Sequence, residues 1–290
     1  MKLPDLALLD LPGGPLAYRR GGEGPPLLLI HGWGGSSRYW LGAFAALADA
    51  YDVIALDLPG FGGSPPPAGP ATLAGAGDAV CAAIEALGLE RVTLGGHSFG
   101  ASVALLAADR RPERVARLAL VSFGLPRSPE EEALFAGLHL QLRAGAALWS
   151  PWLALWSPWL AAARPWTHAV WTTPPLPALL ASRAVHSVAE VPAAALALGA
   201  ADLVAMDARV AVELASSTGD PTVAAVARRV AAPTLVIGGR DDQLFPPSAG
   251  AALAAAMPRA GLVLIDHCGH VPMAERPAQF YAALGAFLAL

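Results

Sequence analysis

Apolar positions along the chain fall into short unbroken runs that end in glycine-rich loops, with longer stretches of helical period between them. The run "PPLLLIHGWGG" predicts a buried strand closed by a glycine loop. "YDVIALDLPGFGGS" repeats that form, a strand passing into a Pro/Gly-rich loop. "TLAGAGDAVCAAIEALGL" has helical character, with Gly88 as its stop signal. "ERVTLGGHS" is a further strand, and "FGASVALLAADRRPERV" an apolar helix that ends near Pro112. "ARLALVSFG", "APTLVIGG" and "GLVLIDHCGH" read as three more buried strands, with a helical "SAGAALAAAM" between the last two. The C-terminal "PAQFYAALGAFLAL" predicts an amphipathic helix. Strands apolar on both faces that alternate with helices imply an α/β fold, a doubly wound and mostly parallel sheet covered on both sides.

Composition narrows the class. The chain has 290 residues, enough for a substantial core. It is 55% hydrophobic and 14% charged, which argues against disorder. The net charge of −4, with acids and bases interspersed, leaves no basic face for nucleic acid. Two cysteines, Cys81 and Cys268, make no disulfide framework, and no metal or cofactor motif is present. The opening "MKLPDLALLDLPGG" sets acids and prolines where a signal peptide needs an apolar run, so a cytoplasmic location is expected.

The candidate chemistry sits in "LGGHSFGAS", where Gly96 and Gly100 flank Ser98. A strand that turns abruptly into a helix at Ser98 leaves no room for side chains at those glycines. The serine is then held on a strained turn with its oxygen exposed, the G-x-S-x-G nucleophile elbow. Four other loops join it. "HGWG" resembles the oxyanion loop of the α/β-hydrolase superfamily, and "DLPGFGGS" its D-x-P-G-x-G-x-S loop. "GGRDDQLFP" resembles the loop that carries the acid, and "CGHVPMAERPAQF" the loop that carries the catalytic histidine. The order Ser, Asp, His matches the superfamily too. The resemblance implies Ser98 as nucleophile, His270 as base and Asp242 as its orienting acid. It also implies the backbone N–H groups of Trp33 and Phe99 as oxyanion donors. Asp241 is the rival acid, but the motif offset favours Asp242. Ser122, Phe123 and Gly124, after an earlier strand, supply no acid. His97 and His31 are expected to serve structurally, His267 to be a polar loop residue, Asp57 to bond local backbone, and Cys268 to be a small buried filler.

Residues 124–219 break the strand–helix alternation and read as an inserted, mainly helical cap on a core formed by 1–123 and 220–290. Inside lies a tandem heptapeptide, "LWSPWLALWSPWLA", residues 148–161. Each Ser–Pro suits a helix N-cap and first position, so two helix starts are expected, at Ser150 and Ser157. From Ala144 to Ala163 no side chain is charged, which is the length of a membrane span. A single crossing would separate Ser98 from Asp242 and His270, and the internal prolines oppose it as well. The stretch is therefore expected to form a roof. Its Trp149, Trp152, Trp156 and Trp159, with Trp166 and Trp171 nearby, would contact substrate at an apolar entrance or glue the cap to the core. Peripheral lipid contact is the lesser reading.

Within the superfamily the motifs most resemble the branch of small carboxylesterases that includes pimeloyl-carrier-protein methyl ester esterase. An acidic carrier protein would need a basic cap face, and the cap arginines are scattered among apolar residues. The expected reaction is hydrolysis of carboxylic esters with apolar, short-to-medium acyl chains, through an acyl-enzyme. The partner is then a small-molecule ester, with oligomeric state left open. The alternatives are a carbon–carbon bond hydrolase of the meta-cleavage type, a perhydrolase or lactonase, or a ligand-binding, receptor-like relative with little turnover.

Overall fold

The computed structural model describes residues 3–290. Eight strands make one sheet: β1 (Ala7–Leu9), β2 (Leu16–Gly21), β3 (Pro26–Ile30), β4 (Asp52–Leu56), β5 (Val92–His97), β6 (Val115–Val121), β7 (Thr234–Gly239) and β8 (Ala260–Ile265). Their order across the sheet is β1-β2-β4-β3-β5-β6-β7-β8. Only the β1–β2 and β2–β4 pairings are antiparallel. From β4 to β8 every pairing is parallel.

The side-chain period of two divides each apolar run between the two faces. Leu28 and Ile30 of β3 join Ile54, Leu94, Leu118 and Val236 on one face. That face is covered by α2 (Leu73–Ala86) and α3 (Phe99–Arg110). Leu27 and Leu29 join Val53, Ala119 and Ile237 on the other. Helix α1 (Leu41–Leu47), with Phe44, covers that side together with the C-terminal helix, through Phe280 and Leu284. Burial on both faces is why the strands read as continuous hydrophobic runs. Gly88 ends α2 with a φ of +66°, and α3 stops at Arg110, two residues before Pro112.

Between β6 and β7 the chain is helical: α4 (Pro129–Trp171), α5 (Leu176–Ala181), α6 (Ala193–Ala205), α7 (Ala208–Ala215) and α8 (Pro221–Ala227). Helices α9 (Pro247–Ala256), α10 (Pro272–Glu275) and α11 (Pro277–Leu288) complete the fold. Helix α4 corrects one expectation. Ser150 and Ser157 start no helix, because both lie inside a single helix of 43 residues that also contains Pro151, Pro158 and Pro165. Proline's fixed φ is compatible with a helix; each ring removes one ladder bond and crowds the carbonyl four residues back, and the intact bonds of the flanking turns carry the helix through. The cap at its true start is Ser128, whose side chain accepts from the Glu131 N–H ahead of three consecutive glutamates in the first turn. No helix of the described residues is long and apolar enough to cross a membrane.

Candidate active site

The carboxyl ends of parallel strands are where loops can gather side chains from distant segments. Ser98 follows β5 with φ 52° and ψ −116°, a backbone shape costly for any residue with a Cβ. The turn is locked from both sides. A Cβ at Gly96 would stand 2.2 Å from the Gly100 carbonyl oxygen, and one at Gly100 2.5 Å from the oxygens of Ile30 and His31. The Ser98 N–H donates to Val121 O at 2.8 Å, which holds the turn to β6.

Asp242 follows β7 and is buried. Its Oδ1 accepts the N–H groups of Leu244 and Phe245 at 2.9 and 3.0 Å. Its Oδ2 lies 2.9 Å from His270 Nδ1. Neighbouring Asp241 is exposed and pairs instead with His186 Nδ1, at 3.0 Å. His270 is fixed through its backbone as well. Its N–H donates to Ala184 O at 2.6 Å, and its carbonyl lies 2.7 Å from His97 Nε2. Phe245 stacks on the imidazole, with centroids 5.9 Å apart. Ser98 and His270 line one cavity of about 570 Å³, bounded by Phe123, Leu125, Phe135, Leu214, Val223 and Leu244. Trp33 and Phe99 line it too. Phe99 opens α3, so its N–H has no intrahelical carbonyl to bond.

The remaining polar residues act as fasteners. His31 accepts the Leu58 N–H on Nε2 at 3.0 Å, so its Nδ1 carries the proton and donates to Gly32 O at 2.8 Å. Burial lowers its pKa, and it joins the loops after β3 and β4 as a neutral ring. Burial, and then the adjacent His270, push His97 well below the ordinary imidazole value, so it bonds the His270 carbonyl as a neutral donor. Asp57 accepts from the N–H groups of Ser37 and Gly63. His267 is exposed, at a φ of +51°. Cys268 is buried, and burial raises its thiol to about 12, which leaves it inert as a nucleophile.

Two buried carboxylates escaped the sequence reading of function. Glu275 accepts from the backbone N–H groups of Gly269, Val271 and His186, bracketing His270 on both sides. Its only signal was its place in "GHVPMAE". Asp202 of α6 receives Ser36 Oγ at 2.8 Å and pairs with Arg38, fastening the loop after β3 to α6. Nothing local marks it, since its partners lie more than 160 positions away.

The tryptophan expectation needs correcting. Trp149, Trp152, Trp156 and Trp159 are absent from the cavity lining and stand exposed. Helical spacing places them on one stripe of α4, whereas Ser150, on the other side, bonds Glu213 of α7. Phe135, nearer the start of α4, reaches the cavity in their stead.

Residues 25–147 and 156–277 match the alpha/beta hydrolase fold family. The RutD protein of Pseudomonas savastanoi pv. phaseolicola, a carbamate hydrolase by name, is 31% identical over 279 residues, 92% of this chain and 94% of that protein. An uncharacterized protein of Mycobacterium tuberculosis is 41% identical over 121 residues, but the match spans only 36% of that relative's length and 42% of this chain. Among solved structures, a hydrolase from Pseudomonas aeruginosa PA01 superposes with a TM-score of 0.72 at 28% identity, covering 99% of both chains.

Proposed function

The chain belongs to the alpha/beta hydrolase family, and from that premise we propose that it is a serine hydrolase acting on carboxylic esters of apolar, short-to-medium acyl chains. The observation that carries this reading is Ser98, on a strained turn, lining the same cavity as a His270 whose Nδ1 is 2.9 Å from the buried Asp242. In the proposed reaction Ser98 Oγ attacks the ester carbonyl carbon while His270 Nε2 takes its proton. The tetrahedral oxyanion is stabilised by the N–H groups of Phe99 and Trp33. Collapse breaks the bond to the alkoxy group, which leaves with the proton from His270. Water, deprotonated by the same ring, then releases the acid and restores Ser98. Asp242 keeps the imidazole in the tautomer this needs and stabilises the imidazolium.

The apolar side chains of Phe123, Leu125, Phe135, Leu214, Val223 and Leu244 support an apolar acyl group, since burying its methylenes against them is favourable, and Arg127 of the same lining is already paired with Glu131. Residues 124–219 act in this reading as a cap on the core formed by 1–123 and 220–290. A second reading, carbamate hydrolysis, rests on the likeness to RutD along nearly the whole chain. It uses the same residues, with a carbamoyl group in place of the acyl group.

A fluorophosphonate probe tests the proposal. Peptide mass spectrometry is expected to find the adduct on Ser98, with butyrate-ester turnover lost in step with labelling. An adduct elsewhere, or turnover that survives full labelling, would overturn it. Parallel assay of an aryl butyrate and the matching aryl carbamate separates the two readings.

A further inference from the structure

The loops that carry Asp242 and His270 also carry a second, exposed cluster. Among the described residues, His186, Asp241 and His267 are the one set of three metal-ligating side chains whose donor atoms lie within 4.8 Å of one another. All three are exposed. His186 Nδ1 is 3.0 Å from Asp241 Oδ2, and the His186 and His267 rings stand 5.6 Å apart at 61°. Ligands about 2.1 Å from a tetrahedral ion lie about 3.4 Å from one another. The His186–Asp241 pair is near that spacing, and the wider separations close by small rotations of exposed rings. An ion pair would account for His186 and Asp241 alone; it gives His267 no part.

The backbones beneath these side chains are tied together. Asp241 follows β7, His267 follows β8, and His186 lies beyond α5. The Asp241 N–H donates to Cys268 O at 2.9 Å. The N–H groups of His186 and Gly269 donate to the same Glu275 oxygen, Oε2, at 2.7 and 3.0 Å. A Cβ at Gly269 would stand 2.7 Å from the His186 nitrogen, so glycine is what lets these segments approach. Side chains on a frame held this way lose little freedom when they bind an ion. The flanking charges are matched in pairs, Arg240 with Asp266 and Arg276 with Glu190. Glu190 lies beside both rings: Arg276 first, and then His186 and His267, hold its carboxyl below the ordinary value. Two imidazoles and one carboxylate suit zinc and the neighbouring divalent transition metals, whereas magnesium and calcium take oxygen ligands. No sequence spacing announces the set, because its members come from three separate loops.

We propose that His186, Asp241 and His267 form a site for a divalent transition metal of the zinc class, whose ion braces the loops after β7 and β8 against the segment after α5. The site stands apart from the hydrolase reading, and its test needs no turnover. The full chain, stripped with a chelator and exchanged into metal-free buffer, is titrated with zinc chloride in a calorimeter. One zinc per chain is expected, and no binding heat from magnesium chloride. Changes to the partners of metal ligands cost about 10- to 100-fold in affinity, so loss of a ligand itself is expected to cost at least about tenfold. His186→Ala, Asp241→Asn and His267→Asn test each in turn. Asparagine tolerates the φ of +51° at position 267, and the bond from residue 186 to Glu275 is made by the backbone, so the fold is expected to survive. Zinc at a hundredfold excess over Kd is expected to raise the wild-type Tm by about 5 °C and to leave that of the triple variant unchanged. His270→Ala protein is expected to bind zinc as the wild type does. Absence of zinc binding by the wild type would overturn the proposal. So would binding that survives the triple change, or that is lost with His270.

Discussion

Asp241 and Asp242 are chemically identical neighbours with different surroundings. Asp242 is buried, with two backbone donors on one oxygen and His270 on the other. Asp241 is exposed against His186. Asp242→Asn is therefore expected to lower kcat about 10³- to 10⁴-fold through the wrong imidazole tautomer, and Asp241→Asn to cost far less. Steady-state kinetics of the two variants decide it, and a reversed order would shift the acid by one residue. His31 and His97 make a second residue-scale prediction, because burial holds both below the ordinary imidazole pKa. Unfolded, each titrates near about 6.5. Above that pH neither state binds a proton at these sites, so they add no pH dependence. Below it the unfolded chain takes up protons that the folded protein refuses. Stability should then fall with acid, by up to about 1.4 kcal/mol per pH unit for each ring until its folded pKa is reached. Urea midpoints between pH 7.5 and 5 measure the slope, and His97→Asn should flatten it. The loops that carry Ser98, His270 and Asp242 were legible because each is a local motif. Glu275 and Asp202 were not, because their partners are backbone groups and distant loops with no sequence period.

The elements divide by what orders them. Strands β3 to β8 were legible as apolar runs because both faces of the sheet are covered, and Gly88 and Pro112 punctuated the helices between them. Helix α4 was misread, since a Ser–Pro pair suits a helix start as well as an interior that tolerates one lost bond. Its tryptophans were assigned to the cavity because bulk and apolarity alone do not say which way a stripe faces. Phe135 and Leu214 meet the cavity instead. Phe135→Ala should therefore move the optimum of kcat/KM toward longer acyl chains, each further methylene buried being worth up to about 0.8 kcal/mol. Trp152→Ala with Trp159→Ala should leave the chain-length profile where it was. An ester series from acetyl to octanoyl reads both outcomes. The loop after β8 depends on Glu275, and Glu275→Ala would leave three backbone N–H groups without an acceptor. A loss of about 3 kcal/mol in chemical denaturation is expected, with a fall in kcat as His270 loses its bracing.

At the scale of the whole molecule, the candidate site draws on the carboxyl ends of β3, β5, β7 and β8 and on the helices between β6 and β7, which bring Phe135, Leu214 and Val223 to its cavity. Ala184 O holds the His270 backbone, Ala211 O accepts from Trp33 Nε1 at 3.0 Å, and Asp202 secures Ser36 and Arg38. These ties join segments far apart in sequence, so they could not be read before the chain was folded, whereas the alternation of runs and helices already implied the sheet that makes them possible. The proposed reaction turns on one oxygen, Ser98 Oγ. The most direct measurement is the turnover of a p-nitrophenyl butyrate by Ser98→Ala protein matched to wild type in circular dichroism and Tm. A loss of kcat of about 10⁵-fold or more is expected, as when the nucleophile of a comparable triad is removed. Turnover within tenfold of wild type by the folded variant would contradict the account.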